Sequence, residues 1–149
     1  NPPLLGFIQR PTSVDRHTYQ NILKYGHYSF NLITQDFFKA AHQTSARYEK
    51  GTNEFNKVGL TPIYKKEIRC PFVEESPLQI ALELHEDIEI KSNKTRLIVG
   101  KVITISIPDS FLKNKPGLNF QELKSINISG LSDYYILKKL ESLNYAKPN

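Results

Sequence analysis

The chain contains no methionine, not even at its first position, and only one cysteine, Cys70. A single thiol excludes an internal disulfide, and with it the small disulfide-stapled folds. No apolar run approaches the ~20 residues that carry a helix across a bilayer, and no basic-then-apolar leader opens the sequence. No membrane association is expected, and the cytoplasm is the default location. The opening Asn1-Pro2-Pro3-Leu4-Leu5 runs straight into an apolar stretch. With no Met ahead of it, it reads as a cut through a loop before a strand, so an N-terminal part is expected to be missing.

Several chemical signatures are absent too. His17, His27, His42 and His85 are dispersed, and Cys70 lies apart from all four, so no metal site is expected. There is no Gly-x-Ser-x-Gly, no Walker loop and no Gly-x-Gly-x-x-Gly, which leaves nucleophilic hydrolysis and P-loop chemistry without support. Cys70 precedes Pro71 with no activating group nearby and reads as structural. Glu83, Glu86, Asp87 and Glu89 fit the solvated side of a strand better than a pair of acid–base carboxylates. The net charge is +5, from 20 Lys and Arg against 15 Asp and Glu. The cations are scattered, so no nucleic-acid partner is expected. A modest positive field equally suits a phosphate-bearing cofactor.

What remains is one ordinary domain over residues 1–149, with 39% hydrophobic and 23% charged residues, eight Tyr and eight Phe. Leu4–Gln9 fits a buried strand that Pro11 ends. A helix is expected from Thr18, a good N-cap, to Tyr25, where Gly26 stops it. His27–Ile33 alternates as a half-buried strand. Phe37, Phe38, Ala41, Ser45 and Tyr48 recur at helical spacing, so Asp36–Tyr48 reads as a helix. Lys50–Glu67 reads as irregular. Leu78–Ile90 and Leu97–Ile107 alternate around a polar turn and predict an antiparallel hairpin. Leu82, Leu84, Val99 and Ile103 are its expected core residues. Phe120–Ile126 is a short helix candidate. The balance is mainly β with short helices, closer to a small barrel than to a parallel α/β sheet.

Arg10-Pro11-Thr12-Ser13-Val14-Asp15-Arg16-His17-Thr18 gathers two arginines, a histidine and hydroxyls at an expected helix start. Free N–H groups and the helix dipole there favour an anion, and Arg offers planar bidentate donors to phosphate. A capped helix behind a polar loop explains the same residues. Chemistry alone leaves the two readings level.

Six segments, in order, resemble the flavin reductase-like FMN-binding split-barrel family. They are Asn1-Pro2-Pro3-Leu4-Leu5-Gly6-Phe7, Arg16-His17-Thr18-Tyr19-Gln20-Asn21-Ile22 and His27-Tyr28-Ser29-Phe30-Asn31, then Asn53-Glu54-Phe55-Asn56-Lys57-Val58-Gly59-Leu60-Thr61-Pro62, Val73-Glu74-Glu75-Ser76-Pro77 and Leu97-Ile98-Val99-Gly100-Lys101-Val102. Ala41-His42-Gln43-Thr44-Ser45-Ala46-Arg47-Tyr48 is most similar to the flavoredoxin branch. The resemblance implies a six-stranded antiparallel Greek-key split β-barrel and a homodimer with FMN, ahead of FAD, near the subunit interface. It implies Arg10, Arg16, His17 and Thr18 at the phosphate and Asn1 and Pro2 beside the ring. Gln43, Thr44 and Ser45 are further candidates.

The implied activity is electron or hydride transfer, as an NAD(P)H:flavin reductase or a flavoredoxin-like carrier. NADH or NADPH would be the donor, and a redox protein a further partner. The alternative is a non-catalytic module that holds or senses FMN. Two departures bear on the choice. Asn93-Lys94-Thr95-Arg96 stands where many reductases of the family carry Gly-Asp-His. Ile128-Ser129-Gly130-Leu131-Ser132-Asp133-Tyr134-Tyr135 stands where Arg precedes a Gly-rich turn and Tyr. Both weigh against direct NAD(P)H oxidation more than against FMN binding.

Overall fold

The structure is a computed structural model that describes residues 1–112 and 118–148. Strand β1 (Leu4–Gln9) leads through a loop to helix α1 (His17–Tyr25), and β2 (His27–Asn31) follows at once. Gly26 permits that abrupt exit: its φ is 72°, in the left-handed region, and its N–H donates to the Ile22 carbonyl. Short helices α2 (Phe38–Gln43) and α3 (Glu54–Val58) precede the two-residue strands β3 (Pro62–Ile63) and β4 (Phe72–Val73). The long strands β5 (Gln79–Ile90) and β6 (Thr95–Ser106) come next. A 3₁₀ turn (Asp109–Phe111) and a hairpin of β7 (Ile126–Ser129) and β8 (Asp133–Ile136) follow.

All strand pairing is antiparallel. The main sheet has the order β1-β6-β5-β2, while β3 with β4 and β7 with β8 form separate ladders. The expected β-dominated architecture with short helices is therefore present, as is the long hairpin. The described strands number eight in three ladders, where six were expected. Among the described residues no helix is long and apolar enough to cross a membrane.

A hydrophobic cluster lies on one face of the main sheet, beneath α1. Ile22, Tyr28, Leu82 and Ile98 are buried there, with Phe7, Phe30, Leu84 and Val102 packed around them. The rings of Phe7, Tyr28 and Phe30 meet edge to face, their centroids 5.6 to 5.9 Å apart. That arrangement suits the aromatic quadrupole.

Leu82 and Leu84 face inward as expected, but Val99 and Ile103 do not. Ile98 is fully buried, whereas Ile103 is 40% exposed. The ladder explains the reversal. Leu82 pairs with Val102, Leu84 with Gly100 and Asp87 with Ile98, so the register skips once at Ile103 and once at His85. Each skip is a β-bulge, which inverts the in–out alternation beyond it. The inner face of β6 thus holds Ile98, Gly100 and Val102. A Cβ on residue 100 would lie 2.8 Å from both Leu82 Cβ and Tyr28 Cζ and would strike the Tyr28 hydroxyl. Glycine at this position makes room for the Tyr28 ring.

The structure corrects four expectations about helices. Arg16, not Thr18, occupies the N-cap of α1, and no side chain caps the helix. Helix α2 stops at Gln43 because the Thr44 and Ser45 hydroxyls donate back to the Ala41 and His42 carbonyls, each at 2.7 Å. The stretch read as irregular contains α3, capped by the Asn53 side chain and closed by Gly59 at φ 74°. Phe120–Ile126 forms turns and then enters β7 rather than a helix.

Gly100→Ala is expected to cost about 1–3 kcal/mol of stability, the usual range for overpacking a tight core. The Tyr28 hydroxyl is buried without a hydrogen-bond partner among the described residues. Tyr28→Phe is therefore expected to be neutral or stabilising, and to recover part of the Gly100→Ala loss. Chemical denaturation of both single variants and the double variant checks this. A Tyr28→Phe loss above about 1 kcal/mol would show that the hydroxyl is bonded.

Candidate functional site

A cleft of about 790 Å³ opens between the start of α1 and the chain that follows α2. One wall carries Gln9, from the end of β1, with Asp15, Arg16, His17 and Thr18. The other carries residues 45–50, with Glu54 of α3. The first wall is a helix N-terminus left open. Arg16 has extended backbone (φ −121°, ψ 95°), no side chain caps the helix, and its first turn has no acidic residue. The leading N–H groups and the positive end of the dipole are thus available to an anion. The second wall exists because Thr44 and Ser45 end α2 early and turn the chain back.

Formal charge alone does not make this cleft basic. Arg16, Arg47 and Lys50 are matched in number by Asp15, Glu49 and Glu54. Among the described residues, none of these six side chains takes part in a salt bridge. The Arg16 Nε is shut off from solvent and has no hydrogen-bond partner among the described residues. Asp15, in contrast, accepts from the Gln20 amide at 3.1 Å. The Thr18 hydroxyl is not spent on capping and has no partner among the described residues.

Of the residues expected at the site, Arg16, His17, Thr18 and Ser45 meet in this cleft. Arg10, Asn1, Pro2, Gln43 and Thr44 are not among its lining residues. Arg10, Asn1 and Pro2 are exposed. The Thr44 hydroxyl is used on the Ala41 carbonyl. Gln43 donates to the Tyr48 hydroxyl at 3.4 Å. Sequence reasoning missed Gln9, Arg47, Tyr48 and Lys50. Two cations within four residues, just past a run of helix-ending hydroxyls, were the available signal for the second wall.

Beneath the first wall lies a polar network. The Tyr19 hydroxyl donates to Asp87 Oδ2 at 2.7 Å, and Arg96 Nε donates to Asp87 Oδ1 at 2.6 Å. The Arg96 guanidinium sits 5.7 Å from the centroid of the Tyr19 ring. Both Arg96 and Asp87 are mostly buried, with side chains 23% and 18% exposed. Burial, reinforced by the bond to Asp87, pushes the Tyr19 phenol above its ordinary pKa.

Elsewhere the polar groups serve structure. His27 Nδ1 accepts from the Arg69 N–H at 3.0 Å, and His42 Nδ1 meets the Tyr134 hydroxyl at 2.8 Å. Cys70 is buried, and burial raises its thiol pKa despite a hydrogen bond with Ser29, which is the opposite of an activated nucleophile. Among the described residues no three His, Cys, Asp or Glu side chains are grouped to hold a metal ion.

Comparison with known proteins agrees with this architecture. A family model described as "Flavin reductase like domain" matches residues 1–125. A candidate flavin reductase with a split-barrel domain from Shewanella frigidimarina NCIMB 400 is 39% identical. The match covers 97% of this chain and 72% of that one, with a TM-score of 0.91. Nitrilotriacetate monooxygenase component B from Bacillus cereus is 23% identical over 95% of this chain and 72% of its own, with a TM-score of 0.83. Flavoredoxin of Desulfovibrio vulgaris (Miyazaki F) is 18% identical over 97% and 75%, with a TM-score of 0.81. The last two show a shared fold. The chain belongs to the flavin reductase-like family and has its split-barrel fold. Membership of that family carries a flavin-related redox function.

Proposed function

We propose that this protein binds FMN, in preference to FAD, with the phosphate at the start of α1. On this reading it acts in electron or hydride transfer, as an NAD(P)H:flavin reductase or a flavoredoxin-like carrier, in the cytoplasm. The observation that carries the reading is Arg16. Its Nε is buried without a partner among the described residues, on the wall of a cleft, one residue before an uncapped helix N-terminus. An FMN phosphate is dianionic and must find donors when it leaves water. Arg16, His17, Thr18 and the free amides fit that need, and Arg10 follows the strand that ends at Gln9. Asn1 and Pro2 would border the ring. Ser45, with Gln43 and Thr44 close by in sequence, would face the phosphate from the second wall.

When bound, the flavin supplies the redox chemistry, and the chain holds it, orients it and excludes water. NADH or NADPH is the proposed donor, and a redox protein the proposed acceptor. A second reading has its own support. The Asn93 side chain accepts from both the Thr95 N–H and the Thr95 hydroxyl, and Arg96 is held by Asp87. Three groups at the position of the missing Gly-Asp-His are thus already engaged, which favours a module that holds FMN without oxidising NAD(P)H directly.

The outer face of the main sheet supports a homodimer. Ile8, Leu97 and Ile88 are cross-strand neighbours there, as are Gly6 and Val99. Leu4, Ile8 and Ile88 on this face are 43%, 54% and 44% exposed. An apolar rung over three strands, Ile8–Leu97–Ile88, flanked by Glu86 opposite Val99 and Lys101 opposite Leu4, is a surface that a second copy can cover.

Arg16→Ala is expected to weaken FMN binding roughly 10- to 150-fold, the loss of one charge-assisted bond to phosphate. Riboflavin lacks the phosphate, so its affinity should hold in the same variant; equal losses for both ligands would make Arg16 structural. The purified protein should also carry a visible flavin spectrum. Bleaching on addition of NADH or NADPH under anaerobic conditions supports the reductase, and an unchanged spectrum supports the carrier or the holding module. Sedimentation at micromolar concentration should give a dimer, and a clean monomer would remove that part of the proposal.

A further inference from the structure

The polar network beneath α1 has more bonding than a helix contact needs. Tyr19 stands one residue after Thr18, in the first turn of α1. Its hydroxyl reaches across to β5, where Asp87 faces inward only because the register skips at His85. The same carboxylate takes the Arg96 Nε, so both of its oxygens are committed. Arg96 pairs in register with Gln9, which lines the cleft. The network therefore links the two parts of the first wall, the end of β1 and the start of α1. Among the described residues it also ties the N-terminal turn of α1 to the sheet by a charged hydrogen bond.

We propose that Asp87 and Tyr19 are positioning residues for the anion end of the cleft. They fix the height and rotation of the first turn of α1, and so the aim of its free N–H groups and of the Arg16 guanidinium. This rests on the reading of the α1 start as the flavin phosphate site. Neither residue touches the ligand in this account. Their effect passes through the backbone of residues 16–20, and it concerns the phosphate rather than the ring.

The sign of one substitution separates positioning from a simple field effect. Asp87 carries a negative charge close to a site meant for an anion. If it acted only through its field, removing the charge in Asp87→Asn would tighten the binding of a phosphate ligand. If it positions the turn, the same change weakens binding, because an amide cannot accept from Tyr19 and Arg96 as the carboxylate does. Tyr19→Phe removes the hydrogen bond with no change of charge and keeps the ring under Arg96.

The test is titration of the folded apoprotein with FMN and with riboflavin, followed by quenching of flavin fluorescence, for wild type, Tyr19→Phe, Asp87→Asn and Arg16→Ala. Tyr19→Phe is expected to weaken FMN about 5-fold, the worth of one hydrogen bond, and to leave riboflavin within about 2-fold. Asp87→Asn is expected to weaken FMN further, with riboflavin again little changed. Tighter FMN binding in Asp87→Asn, or no separation of FMN from riboflavin in Tyr19→Phe, would overturn the positioning role. If Asp87→Asn does not fold, Tyr19→Phe decides alone. Arg16→Ala reports on the underlying reading. If it separates the two ligands and Tyr19→Phe does not, only the positioning role fails. If it does not separate them, the phosphate site and the positioning role fall together.

Discussion

The β5–β6 ladder, with its two skips of register, is the constraint on which the rest of the molecule is built. Both strands are twelve residues long and lie at the centre of the main sheet. A strictly alternating β5 would turn Glu86 and Ile88 toward α1. The bulge at His85 turns Asp87 inward instead and sends Ile88 out. One irregularity therefore has two consequences. It places a carboxylate under the first turn of α1, where Tyr19 and Arg96 satisfy it. It also moves an isoleucine onto the outer face beside Leu97 and Ile8. Exposing apolar side chains is unfavourable for an isolated chain, so the second consequence is tolerable when something covers that face.

The inner face shows the same economy. Gly100 is the gap in the apolar pattern of β6, and the Tyr28 ring fills it from β2. The ring brings a hydroxyl that finds no partner, and burial pushes that phenol up in pKa. Packing dominates here. The Tyr28 ring meets Phe7 and Phe30 edge to face, and those contacts with the buried area outweigh one unsatisfied hydroxyl.

Elements were legible in the sequence where one local signal acted alone. The Gly26 stop and the long hairpin follow from glycine chemistry and from periodicity, and Leu4–Gln9 is a strand as expected, but mostly exposed rather than buried, because it lies at the edge of the main sheet. The inward face of β6 was not legible, because counting apolar residues favours the face with Leu97, Val99 and Ile103 and cannot register a bulge set by the partner strand. Helix α2 was overextended because apolar spacing continues to Tyr48, whereas the hydroxyls of Thr44 and Ser45 bond backward and end it. That early end is also why Arg47 and Lys50 went unnoticed as a cleft wall. The Arg16–Thr18 side of the site was visible, since charge and a helix start coincide there. The Asp87 network was hidden, because a carboxylate on a long strand reads as solvent-facing until the register is known.

The two walls of the cleft differ in how they are held. The α1 wall is anchored from below by a bond between residues 68 apart in sequence, and α1 buries Ile22 in the core. Among the described residues, the hydrogen bonds of the opposite wall are local. The Thr44, Ser45 and Ala46 amides bond three residues back, the Tyr48 amide two back, and the Gln43–Tyr48 contacts span five. Segments held by local bonds and little burial lie at the low end of a protein's local stabilities. A rigid wall with unpaired donors suits a small group of fixed geometry and charge. A wall that can adjust suits the larger and more variable remainder of a ligand, and Arg47 and Lys50 on that wall form no salt bridge among the described residues. Preorganisation on one side and adaptability on the other would let the anion set the position of the ligand while the loop takes up its shape.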